Sequence, residues 1–205
     1  SAIDFGNLGA FAAGHRRDGA LSKGGNFTVR EGVLGSRIAV DGHLQGFGQG
    51  PASGVFFHEI FGHRIEGQRM KSENDGQTFK KMIGQFVLPE GMHVYDDPTL
   101  RKYAGEDLNG FYKYDDQGVK ARRVDVVKDG ILREFLMSRV PLDGFPHSNG
   151  HGRTAGGGDP VSRQSNLVVE TTAPHTEAEL RSMLIEEAKK QGKEYGYYFK
   201  EVTSG

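Results

Sequence analysis

Glycine breaks up this chain from one end to the other, 31 times in 205 residues, about twice the usual share of roughly 7%. It follows no collagen-like period, and short apolar runs lie between the glycines. That combination points to many turns and β-structure rather than to disorder. At this length one compact unit with a buried core is expected. Lys and Arg number 26 against 27 Asp and Glu, so no surplus of positive charge exists to neutralise a phosphate backbone or an anionic lipid surface. Direct nucleic-acid binding is therefore not expected. No run reaches the ~18 apolar residues of a membrane span, and residues 1–11 lack the basic start and apolar stretch of a secretory signal. The expectation is a cytoplasmic chain that does not engage membranes. Cysteine is absent, which removes disulfides and thiolate chemistry; any metal held by these residues needs His, Asp, Glu or water.

The pattern along the chain suggests an α+β fold with mostly antiparallel strands. Residues 1–25 carry little periodicity and read as irregular. Residues 26–29 and 36–40 have β-branched content bounded by glycine and are expected to form a strand pair around a turn at 30–35. Residues 1–45 thus read as an irregular or strand-pair region ahead of a core at 46–205. A helix is expected over about 51–70, opened by Pro51 with Ser53 as N-cap and carrying Val55, Phe56, Ile60 and Phe61 at helical spacing. Residues 71–81 read as a polar surface loop, and 82–88 and 92–95 as short strands around the turn Pro89-Glu90-Gly91. Lys128-Asp129-Gly130 supplies the Asp-Gly pair of a tight hairpin between strands at 119–127 and 131–140. A long Gly- and Pro-rich loop at 141–160 follows, then a strand at 166–170. Thr176 and Glu179 form a capping box for a helix over about 177–191, and Tyr195, Tyr197 and Phe199 alternate as a last strand would.

Chemistry concentrates in His58-Glu59-Ile60-Phe61-Gly62-His63. Two imidazoles are good zinc ligands, and a carboxylate beside them can take a proton from an activated water. The logic is that of peptidases whose two histidines stand four apart on one helix face. Here the interval is five, which on a regular helix sets the side chains about 140° apart. A widened turn of π-helical type would realign them, and Gly62 would permit such a distortion or a helix break. The motif therefore predicts its own irregularity. The bland alternative is a core helix whose histidines are hydrogen-bonded fillers.

The run from Gly54 to Gly67, GVFFHEIFGHRIEG, resembles the signature of the TldD/PmbA family, once labelled modulators of DNA gyrase: His-Glu-x-x-x-His followed by x-x-Glu-Gly. Asp96-Asp97-Pro98, the hairpin around Lys128-Asp129-Gly130-Ile131-Leu132, Gly150-His151-Gly152-Arg153 and Ser162-Arg163-Gln164-Ser165-Asn166 resemble the family's later segments in the same order. The resemblance implies zinc held by His58 and His63, Glu59 as the general base, and hydrolysis of peptide bonds in unstructured peptides or protein segments. It also implies a heterodimer with a family-related subunit, and strand edges left open by a missing segment would allow a homodimer by edge pairing. Glu66 is placed either to orient a ligand imidazole through its second nitrogen or to pair with Arg64, Arg69 or a remote base. Arg153, Arg163 and Asn166 belong to segments near the family's peptide groove, with loop-anchoring hydrogen bonds as the alternative.

In that family the third zinc ligand is a cysteine from a C-terminal segment, and this chain reads as lacking that segment and most of the N-terminal α/β domain. A substitute ligand would have to come from His93, His147, His151 or Glu66, chosen on residue type alone. Without one, the resemblance allows a second role, a catalytically incomplete module that binds peptides or a partner through open strand edges.

Overall fold

The computed structural model describes residues 26–29, 36–40, 44–48, 51–71, 79–103, 106–154 and 157–199. Its strands, in chain order, are β1 (Asn26–Val29), β2 (Ser36–Val40), β3 (Leu44–Gly48), β4 (Met92–Asp96), β5 (Lys102–Tyr103), β6 (Glu106–Asp107), β7 (Val124–Lys128), β8 (Ile131–Leu132), β9 (Gly152–Arg153), β10 (Val161–Ser162), β11 (Asn166–Thr171) and β12 (Tyr197–Phe199). The α-helices are α1 (Pro51–Val55), which runs on into a π-helical turn and two 3-10 turns, and α2 (Glu177–Lys190).

Five strands form the central sheet in the order β1-β11-β4-β7-β8, and β12-β3-β2 form a second sheet of three. Pairing is antiparallel except for β1 with β11 and β12 with β3. This is the α+β, mostly antiparallel architecture expected from the glycine-punctuated sequence.

Alternation decides which face of the central sheet carries the site. Leu167 and Val169 of β11, Met92 and Val94 of β4, and Val124 and Val126 of β7 join Phe56, Phe57, Phe61, Ile65 and Met70 in one buried cluster. The helical segment after Pro51 is thereby fixed on the sheet by its aromatic side, because burying each such side chain contributes roughly 1.5–3 kcal/mol. A smaller cluster, Leu180 and Leu184 with Met183 and Tyr198, seats α2 against β12.

Two local signals act as expected. Thr176 Oγ1 accepts from the Glu179 N–H and the Glu179 carboxylate accepts from Thr176 N, so two otherwise orphaned donors at the start of α2 are satisfied together. At its other end, Gly192 takes φ 63°, and the Lys193 N–H donates to Ala188 O at 2.8 Å in the Schellman closure that left-handed glycine permits. In the hairpin, Asp129 and Gly130 adopt φ 53° and 76°, the left-handed pair of a two-residue turn.

Other expectations are corrected. The strands at 26–29 and 36–40 do not pair with each other: β1 joins β11 and β2 joins β3. Residues 1–25 and the turn at 30–35 lie outside the described residues, as do residues 72–78 of the expected surface loop. No strand forms over 82–88, because Gly84 at φ 77° turns the backbone. Residues 84–88 instead cover the edge of β8 through single bonds such as Gly84 N to Leu132 O at 2.9 Å. Pro51 begins α1 itself, which leaves Ser53 inside the helix and buried rather than at its cap. The hairpin strands are shorter than expected, since the second leaves the sheet after Leu132 and reaches Glu66 through Leu136. Among the described residues no helix is long and apolar enough to cross a membrane.

Gly130→Ala should destabilise the chain by about 2 kcal/mol or more, through positive φ and a Cβ placed 2.5 Å from Leu88 O and 2.6 Å from Pro89 O. Gly118→Ala, at φ 75° but facing open space, should cost only about 1–2 kcal/mol. Urea unfolding of the two variants side by side measures the difference.

Candidate metal centre

The helix that starts at Pro51 winds as α-helix to Val55, as π-helix over Phe56–Phe61 and as 3-10 helix over Gly62–Ile65. The Gly62 N–H is shared between the carbonyls of His58 and Phe57, the α-type and π-type partners. This is the widened turn that the five-residue interval requires. It brings the His58 and His63 ring centroids to 5.0 Å. Glu59 stands between them, with Oε1 3.7 Å from His58 Nε2 and Oε2 3.5 Å from His63 Nε2.

Those separations are too long for good hydrogen bonds. One ligand atom from each of the three residues lies within 4.8 Å of the other two. Ligands about 2.1 Å from a tetrahedral zinc stand about 3.4 Å apart, so donor chemistry and spacing fit one small cation. Burial lowers the pKa of His58, helped by the neighbouring His63 and opposed by Glu59 and Glu66. The neutral imidazole, the form that binds metal, is thereby favoured.

Glu66 does not lie on a continuing helix. Its backbone is extended at φ −75°, ψ 110°, and it bridges Leu136 in parallel: Leu136 N donates to Ile65 O and Gly67 N to Leu136 O, both at 2.9 Å. A Cβ on Gly67 would lie 2.9 Å from Leu136 O and overlap the Met137 sulfur, which explains the glycine after Glu66. The buried Glu66 carboxylate accepts from His63 Nδ1 and Arg69 Nε at 3.0 Å each, with Arg163 Nη1 at 3.5 Å, all on Oε2. Burial pushes its pKa up, but the hydrogen bond from His63, the charge of Arg163 and the hydrogen bond from Arg69 outweigh this and hold it below the usual carboxylate value. Because a carboxylate only accepts, the proton of this bond sits on His63 Nδ1. The Nε2 lone pair is then left on the side of Glu59 and His58. Glu66 therefore contacts a histidine and both arginines at once.

The remaining candidates are distributed elsewhere. Arg163 reaches Glu66, whereas Arg153 lies over the Tyr112 ring and 3.2 Å from Asp116 Oδ1. Asn166 is buried: its amide donates to Asp97 O and Leu100 O and its Oδ1 accepts from Gly110 N. This is loop anchoring. None of the candidate substitute ligands joins the cluster. His93 Nδ1 accepts from Asp129 N, His147 is exposed, and His151 is buried with Nε2 3.1 Å from Asp96. Two participants lie inside the resembling segments at 96–98 and 162–166, where residue type alone does not single them out. Asp96, inside the fold, takes Ser165 N and Oγ together with His151. Gln164, 106 residues from His58, donates to its carbonyl at 3.3 Å. Neither has a spacing that could announce it.

Residues 49–205 match the model of the PmbA/TldA metallopeptidase C-terminal domain. A metalloprotease of Archaeoglobus fulgidus is 34% identical over 119 residues, covering 58% of this chain and 26% of that protein. A zinc metalloprotease TldD homolog of Saccharolobus solfataricus is 30% identical over 86 residues, covering 42% and 18%. The chain thus spans about a quarter or less of the length of these relatives. The crystal structure of TldE from Thermococcus kodakarensis overlays with a TM-score of 0.48 at 17% identity, over 63% of this chain and 28% of that one. With its family model matched over most of its length, the chain belongs to the PmbA/TldA metallopeptidase family, in its C-terminal domain.

Proposed function

We propose that this chain carries the metal site of a zinc-dependent peptidase that cleaves unstructured peptides or exposed protein segments. The observation that carries the reading is the π turn, which gathers His58, Glu59 and His63 within reach of one ion. His58 and His63 would hold it through ring nitrogens, and the zinc named in the Saccharolobus relative supports the choice of metal. When bound, zinc supplies positive charge that acidifies water and polarises a carbonyl.

The chain's own residues divide the remaining work. The Glu59 side chain is 38% exposed, open enough to meet water and substrate, and its carboxylate receives a proton at Oε1 or Oε2 and passes it to the leaving amine. Glu66 holds the Nδ1 proton of His63 and so keeps Nε2 available as a ligand atom. Arg163, partly exposed beside Glu66, offers a fixed positive charge to the carbonyl side of an extended peptide. Pairing with a second copy or with a family-related subunit fits the same reading, as does a location in the cytoplasm.

A second reading is favoured by one observation. Among the described residues no further His, Asp or Glu joins the cluster of three, and a site with two histidines and one carboxylate that doubles as base is weakly closed. A module that binds extended peptides or a partner without cleaving them would tolerate this.

Metal analysis at neutral pH separates the two readings. The peptidase reading expects one zinc per chain, lost in His58→Ala and His63→Ala. Glu59→Gln should keep that zinc while cleavage of an unfolded fluorogenic peptide falls by roughly 10²- to 10⁴-fold. Equal turnover by wild type and variant would remove Glu59 from its role, and substoichiometric zinc with peptide binding indifferent to a chelator would favour the binding module.

Glu66→Ala should weaken zinc binding by roughly 10- to 100-fold. In chelator, urea unfolding should show a loss of about 1–3 kcal/mol. That is less than the ~3–5 kcal/mol of a broken, fully buried pair, because Arg69 and Arg163 keep contact with water.

A further inference from the structure

The winding that aligns the two histidines needs something to hold it. A π turn is rare because α-helical hydrogen bonding is ordinarily preferred, and the shared Gly62 N–H leaves the turn at 56–61 balanced between the two patterns. Gln164 touches the backbone of this turn from outside. Its Nε2 donates to the His58 carbonyl at 3.3 Å, the same oxygen that receives the Gly62 N–H. Its side chain is buried and lies so close to Gly62 that a Cβ there would overlap the whole terminal amide.

Gly62 itself has φ −61° and ψ −41°, a conformation open to every residue. Glycine is therefore not needed there for backbone freedom. It is needed for the space that Gln164 fills. Gln164 is in turn held by its neighbours: Arg163 N donates to His151 O at 2.9 Å, and Ser165 N donates to Asp96 Oδ2 at 2.9 Å. Arg163, beside it between β10 and β11, contacts Glu66, and through it His63.

The geometry points to Gln164 as a positioning residue for the metal centre: packed into the gap left by Gly62 and bonded to the His58 carbonyl, it fixes the π turn that sets His58 and His63 toward one ion. Gln164 touches neither ligand ring in this role. It acts through the backbone beneath them. The inference rests on the zinc site proposed above and adds to it the element that sets its geometry.

The test uses the whole chain, zinc affinity by competition with a chromophoric chelator, and the visible spectrum after cobalt substitution. Gln164→Met keeps the bulk and removes the donor, and Gln164→Ala removes both. Each should weaken zinc binding at least 10-fold and alter the cobalt bands. Gly62→Ala, which displaces the amide from the opposite side, should do the same, and adding it to Gln164→Ala should cost little more, since both changes break one contact. A residue that merely fills space would lower thermal stability in these variants and leave the zinc affinity and cobalt spectrum of the folded fraction unchanged. That result, with zinc bound normally by the wild type, overturns the role given to Gln164. A wild type that binds no zinc overturns the metal site and this inference together.

Discussion

Two imidazoles five residues apart can face a common point only when the helix beneath them takes in one residue more than its regular turn holds. The rest of the site follows from that constraint. The π turn over Phe56–Phe61 serves both sides of the segment. Phe57 and Phe61 are fully buried with ring centroids 5.5 Å apart, while His58 and His63 meet away from the core. The aromatic side anchors the winding to the sheet by apolar burial. The polar side then needs only short-range contacts to be placed.

Glu66 shows how the end of the helix is used. If the helix continued, Glu66 would be one more side chain on its surface. Breaking it there lets the backbone pair with Leu136 and carries the carboxylate inside, where it takes His63, Arg69 and Arg163 on one oxygen. Burying a charge is costly unless it is paired and hydrogen-bonded; the three donors do this at Oε2, while the buried Oε1 has no hydrogen-bond partner among the described residues. They also tie the placement of the His63 imidazole to two arginines from different parts of the chain.

How much could be read beforehand depended on the range of the interaction. The capping box at Thr176 and Glu179 and the Asp129-Gly130 turn are local chemistry, and both formed where the residues indicated. The π turn was legible for a different reason, since two ligands and one ion conflict with 100° per residue and only a change of winding resolves the conflict. What escaped was long-range. Nothing near residue 26 reveals that β1 will lie parallel to β11 rather than pair with β2. His147 and His151 look alike in sequence, yet one is exposed and the other is enclosed against Asp96. Glycine at 62 suggests flexibility in the sequence, whereas its use is vacancy, and that is visible only once Gln164 is in place.

Asp96 has a consequence for the mechanics of the whole arrangement. It closes β4, the middle strand of the central sheet, and its carboxylate grips Ser165 and His151 from inside the fold. The segment that faces the histidine turn is thereby clamped to the same strand whose Met92 and Val94 pack among the helix aromatics. Both jaws of the centre are mounted on one rail, so a distortion that reaches the sheet moves them together and leaves the gap between them unchanged.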